Sequence, residues 1–217
     1  MAISSAGVAG LKPGVVDSTA TRPSSPFEGQ MIFQKDTDQL LVWNGSAWVI
    51  PNSPAQNPQG LELVKTQTIG SAVTSVTVSN AFSATYDNYR ILVNTTGSVN
   101  QSLAITLGAS VTGYYGFLIY GDAINNTVLG VGRNNQPRMD YIGGGTTSEA
   151  QTSALDVLNP FATSYTRFPS SPYMDTSSFG TMSGEHKVSA SYTSFNIIAT
   201  GGTMTGGTIT VYGYRNS

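Results

Sequence analysis

Apolar residues in the C-terminal three quarters of this chain recur at every second position and nowhere at helical spacing. Val76 and Val78 alternate with Ser75 and Thr77. Tyr89, Ile91 and Val93 share one side, as do Leu103, Ile105 and Leu107, and Ile209 and Val211 alternate with Thr208, Thr210 and Tyr212. Successive strand side chains point to opposite faces, so this is the pattern of strands with one face in a core. An amphipathic helix would need a 3.6-residue period, which no segment shows. Surface chemistry agrees. Charged residues are only 10% of the 217, against about 25% in ordinary domains, and Ser, Thr, Asn, Gln and Gly take their place. Exposed helix faces usually carry Glu and Lys, whereas Thr, Ser and Asn suit the solvent faces of strands. The chain is expected to be all-β.

Four regions follow one another. Residues 1–26 read as an extended arm, because Gly7, Gly10 and Gly14 break any helix and Thr21-Arg22-Pro23-Ser24-Ser25-Pro26 holds the backbone extended. A frayed terminus would look similar, but Ile3, Val8, Leu11, Val15 and Val16 are more apolar than a solvating tail needs. They mark the arm as an attachment segment that orders on a partner. Residues 27–50 form a small β-hairpin module: a strand over 29–34, a turn, a strand over 40–43, an Asn44-Gly45 turn supplying positive φ, and a last strand at 47–50. Trp43 and Trp48 flank that turn, and so small a meander cannot bury two indoles alone. Phe33, Leu41, Trp43 and Trp48 are therefore the expected subunit contact. Residues 51–60, with three prolines, are a semi-rigid linker. Residues 61–217 carry eight candidate strands (61–69, 73–78, 89–96, 102–107, 116–120, 153–158, 188–199 and 207–214) and suggest a jelly-roll-like antiparallel β-sandwich.

Several function classes are disfavoured. A net charge of −2 with ten Lys and Arg gives no electrostatic footprint for nucleic acid or an anionic membrane. No apolar run approaches the ~20 residues of a spanning helix, and the start Met1-Ala2-Ile3-Ser4-Ser5 lacks the marks of a signal peptide. Cysteine is absent and histidine occurs once, at His186. A Ser-His-acid triad would have to use it, but Ser183-Gly184-Glu185-His186-Lys187 reads as an exposed polar turn. Gly143-Gly144-Gly145, Gly201-Gly202 and Gly206-Gly207 lack the Lys-Ser/Thr ending of a phosphate loop and read as wide turns. Asp36-Thr37-Asp38 reads as a hairpin turn rather than a calcium site, and no pair of acids stands out for glycoside hydrolysis. No enzyme, cofactor or metal is expected. The aromatics Tyr114, Tyr115, Tyr120 and Tyr165, with Tyr173 and Phe179, either fill the ends of the sandwich or stand exposed. In the second case they could stack on sugar rings or anchor an interface.

Gly10-Leu11-Lys12-Pro13-Gly14-Val15-Val16, then Arg22-Pro23-Ser24-Ser25-Pro26-Phe27-Glu28-Gly29-Gln30-Met31-Ile32, then Leu41-Val42-Trp43-Asn44-Gly45-Ser46-Ala47-Trp48-Val49 resemble the N-terminal module of tail-fibre-like and other virion structural proteins of tailed bacteriophages, such as cyanophages. The remainder resembles the β-sandwich at the distal end of such proteins, through Asn80-Ala81-Phe82, Tyr86-Asp87-Asn88-Tyr89-Arg90-Ile91 and the terminal Gly206-Gly207-Thr208-Ile209-Thr210-Val211-Tyr212-Gly213-Tyr214. The resemblance implies a homotrimer in the virion, made in the host cytoplasm and anchored to other virion proteins by its arm. It would project the sandwich as a fibre or spike, with host surface polysaccharide as a ligand for the four tyrosines. The alternative is a capsid decoration protein whose arm clamps coat subunits. Low surface charge and an under-filled tryptophan hairpin suit a symmetric assembly independently.

Overall fold

A computed structural model describes residues 13–51, 60–174 and 178–215. Ile3, Val8, Leu11 and most of the proline-rich linker lie outside the described residues. The chain is all-β, and it divides into two compact units between Pro58 and Gln59.

The first unit is a four-stranded sheet in the order β1-β2-β3-β4, with β1 Gly14–Val16, β2 Met31–Gln34, β3 Gln39–Trp43 and β4 Trp48–Val49. β1 comes from the segment expected to be an extended attachment arm ordering on a partner. It pairs in parallel with β2, placing Val15 beside Phe33. A short 3-10 turn, Thr19–Thr21, follows it. Antiparallel pairing sets Ile32 beside Leu41 and Trp43 beside Trp48. The β3–β4 loop has four residues rather than a tight Asn-Gly pair. Asn44 accepts on Oδ1 from the N–H groups of Ser46 (3.0 Å) and Ala47 (2.8 Å), and Gly45 carries the positive φ of 95°. The Asn side chain thus does locally what a second left-handed residue would otherwise do.

The second unit holds twelve strands, β5 Leu61–Thr68, β6 Ser75–Val78, β7 Asn88–Gly97, β8 Gln101–Leu107, β9 Tyr114–Asp122, β10 Thr127–Gln136, β11 Met139–Gly145, β12 Gln151–Leu158, β13 Ser164–Ser170, β14 Ser178–Ala190, β15 Phe195–Ala199 and β16 Met204–Tyr214. One antiparallel run goes β5-β16-β7-β12-β13-β14-β9-β10, and a shorter one goes β6-β15-β8-β11. They join where Gly143 and Gly144 of β11 pair with Ser153 and Thr152 of β12. Tyr89, Ile91, Val93, Leu103, Ile105, Leu107, Ile209 and Val211 point into one shared core, as their alternation requires.

Gly143-Gly144-Gly145 is not a wide turn but the end of strand β11, gripped on both sides by β8 and β12. A Cβ on Gly144 would come within 2.5 Å of the Gln101 carbonyl oxygen, so only glycine passes through this junction. Gly206-Gly207 is likewise within a strand, as a bulge of β16 between Thr205 and Thr208. Gly116 and Gly184 are cross-strand partners on β9 and β14. Together they make a hollow that receives Met139 from β11, whose Sδ would lie 3.1 Å from a Cβ on Gly116. The segment 188–199, expected as one strand, is the end of β14, a turn, and β15.

Candidate functional site

His186 is fully buried on β14, not exposed in a turn. Its Nε2 lies 3.0 Å from the Thr112 carbonyl oxygen and 2.8 Å from Ser110 Oγ, and its Nδ1 lies 3.4 Å from the Tyr192 hydroxyl. A carbonyl only accepts, so Nε2 carries the proton and donates it to Thr112. In that tautomer Nε2 has no lone pair to take a proton from Ser110, whose hydroxyl itself points at the Thr112 carbonyl at 3.3 Å. Burial pushes the His186 pKa below its ordinary value, and the Thr112 hydrogen bond opposes this only in part. Such a neutral histidine closes one end of the core and lacks the geometry of a serine-activating base. No group of three or more His, Cys, Asp or Glu side chains gathers as a metal site among the described residues, and none of their helices is long and apolar enough to cross a membrane.

The four singled-out tyrosines separate into three environments. Tyr114 is wholly buried, and its hydroxyl accepts the Leu107 N–H at 2.7 Å, so it cannot meet a receptor. Tyr115 and Tyr165 stand on the outer face of the β9-β14-β13 sheet. There Tyr115 lies opposite Glu185, and Glu185 opposite Arg167. The Lys187 ammonium sits 4.5 Å above the Tyr115 ring. Phe117, Arg167, Ser183 and Glu185 complete a shallow groove of about 390 Å³ there. Tyr120 faces the other way, into a separate cleft of about 250 Å³ with Tyr141.

The expected subunit contact is divided between the two faces of the small sheet. Register and alternation put Ile32, Gln34, Leu41, Trp43 and Trp48 on one face. That face is covered. Ile32 and Leu41 are 1% and 3% exposed. The buried Gln34 amide fixes the segment above it, accepting from Arg22 Nε at 2.7 Å and donating to Thr19 Oγ1 at 3.3 Å and Asp36 Oδ1 at 2.6 Å. The two indoles pack edge to face, 5.6 Å apart, and are half-buried. Much of the tryptophan surface is therefore satisfied within the chain. Phe33 lies on the opposite face with Val15, Met31, Leu40, Val42 and Val49. All six are apolar and none is buried, Val15 being 49% and Met31 40% exposed. Val16, the other described attachment residue, shares the covered face with Gln34.

This partly exposed apolar face had a signal in the sequence. Met31-Ile32-Phe33 and Leu40-Leu41-Val42-Trp43 are continuous apolar runs, the mark of strands buried on both faces rather than one. No protein-family model, curated protein or solved structure matches the chain.

Proposed function

We propose that this chain is a non-enzymatic virion structural protein, a homotrimeric fibre or spike whose N-terminal segment attaches it to the particle and whose large β-unit engages the host surface. The observation that carries the assembly is the wholly apolar, partly exposed sheet face of Val15, Met31, Phe33, Leu40, Val42 and Val49. A four-stranded sheet with two fully buried aliphatic side chains among its described residues is marginal by itself. Copies of the same face can bury one another without opposing like charges, because none of these six residues is charged. Val15 and Met31 are exposed and Phe33, Leu40, Val42 and Val49 partly exposed, so taking each fully out of water contributes a few tenths to about 1 kcal/mol, set against the cost of association. The phage assignment rests on the resemblance of the segment from Gly10 to Val49.

Antibody labelling of purified particles from lysates of the source tests this reading. Label on the particles at discrete projections is the expected result. Absence of the chain from particles would overturn it.

A further inference from the structure

We propose that the cleft between β9–β10 and the β8–β11 pair binds one pyranose unit of a polysaccharide, an inference that rests on the host-surface role above. Its walls are Asn100 and Ser102 at the start of β8, Leu118 and Tyr120 on β9, Val131 on β10 and Tyr141 on β11, around a volume of about 250 Å³. A sugar ring presents hydroxyls at its rim and apolar C–H faces. It calls for neutral donors and acceptors beside an aromatic or aliphatic wall.

The cleft supplies both. The hydroxyls of Tyr120, Tyr141 and Ser102 and the amide NH2 of Asn100 have no hydrogen-bond partner among the described residues, whereas Asn100 Oδ1 is held by the Thr147 N–H at 3.1 Å. Asn100 is thus fixed with its donors left over. Its neighbour Gln101 is fully spent as a brace. Gln101 Oε1 accepts from Gly201 and Gly202 at 3.0 and 2.7 Å, and Nε2 donates to Gln151 Oε1 and the Thr203 carbonyl at 3.1 and 3.2 Å. The wall carrying Asn100 and Ser102 is therefore rigid.

Tyr141 is the independent sign. Its φ of +64° lies in the left-handed region, and the other non-glycine residues there are Asp38, Ala72, Asn80, Asn126, Asn135 and Asn159. Asn and Asp visit that region readily, but a bulky aromatic does not. Tyr141 occupies it at a register irregularity of the β11–β8 pairing, between Met139 and Gly143. The Arg133 guanidinium lies 4.7 Å from its ring centroid. Arg133 is in turn held by Asp140 at 3.3 Å, and Asp140 also binds Arg138 at 2.7 Å. A strained backbone at Tyr141, with an ion-paired guanidinium held against its ring, is an arrangement found where a side chain is held ready for a ligand.

The test is a printed array of neutral and uronic-acid bacterial polysaccharides probed with the fluorescently labelled full chain. We expect retention on at least one pyranose polymer. It should fall at least tenfold in both Tyr120→Ala and Tyr141→Asn, the latter chosen because Asn tolerates the left-handed backbone. Asn100→Ala, an exposed change that leaves every ring in place and gives up only the Thr147 hydrogen bond, should weaken it severalfold with the melting temperature lowered by no more than a few degrees, which keeps the test valid if a tyrosine variant unfolds. A silent array, or wild-type retention in Asn100→Ala and the folded tyrosine variants, would overturn the site. Particle labelling is read separately. A silent array with labelled particles removes the cleft and leaves the virion role, while unlabelled particles remove the role itself.

Discussion

Replacing Tyr114 by Phe separates a structural tyrosine from a receptor-binding one. The ring sits at 0% exposure, with centroids 4.3 Å from His186 and 6.3 Å from Phe168, and Phe keeps these contacts. Only the hydroxyl is lost, and with it the acceptor for the buried Leu107 N–H at 2.7 Å. An amide left without a partner in a core costs about 1–3 kcal/mol. With a urea slope of about 2 kcal/mol/M, a loss near 2 kcal/mol lowers the unfolding midpoint by about 1 M. A second arm uses alkali. Burial pushes the Tyr114 pKa from 10.0 up to about 12. The unfolded chain therefore loses this proton first. The stability Tyr114 contributes as a neutral group is complete below pH 10 and is lost as pH rises toward about 12. Two pK units correspond to about 3 kcal/mol. Tyr114→Phe should show the lower midpoint at pH 7 and a shallower decline between pH 10 and 12. An unchanged midpoint, together with loss of binding to a host surface, would refute the burial argument.

Three further changes probe the same core. His186→Gln should flatten the loss of stability on acidification. The depressed pKa of His186 means that its contribution is present above the ordinary value of 6.5 and disappears as pH falls through the lowered folded value; urea midpoints from pH 7 to pH 4.5 read this. Gly184→Ala places a Cβ 2.7 Å from Met139 Sδ and 2.9 Å from the Tyr115 carbonyl oxygen, an overpacking worth about 1–3 kcal/mol. Calorimetry should show a melting temperature lower by several degrees, with partial recovery in the Gly184→Ala, Met139→Ala double variant. Thr166 is fully buried, and its hydroxyl has no partner among the described residues. Thr166→Val should therefore be neutral or stabilising by up to about 1 kcal/mol, and a loss above that in urea unfolding would show a hidden partner.

The strands most legible in the sequence are those whose apolar residues alternate: β7 and β16 because one side meets the core and the other is more open to water, and β8 through Leu103, Ile105 and Leu107, although its other side, with Ala104 and Thr106, is buried too. β10, β11 and β13 are hard to read for different reasons. β10 carries Gly130 and Gly132 and exposes both sides of much of its length. β11 ends in three glycines forced by close approach of β8 and β12. β13 contains Pro169 at a position where strand pairing with Ser183 persists. Long-range contacts, not local propensity, make these residues strands. His186 is hidden likewise, since the glycine, charge and histidine of its segment look like a turn until pairing with β9 and β13 makes it a strand. The tryptophans draw attention to the small module, but parity decides which residues share its more exposed face, and parity requires the strand registers. Nothing local in the sequence foretold the left-handed Tyr141.

Self-association through the partly exposed apolar face of the small sheet is the central claim, and sedimentation of the full chain tests it most directly. The account predicts a particle of three times the 22.8 kDa chain mass, reduced to monomer by Phe33→Asp while the twelve-stranded unit keeps its melting temperature. A wild-type chain that sediments as a monomer at micromolar concentration, or a Phe33→Asp variant that retains the full mass, would contradict it.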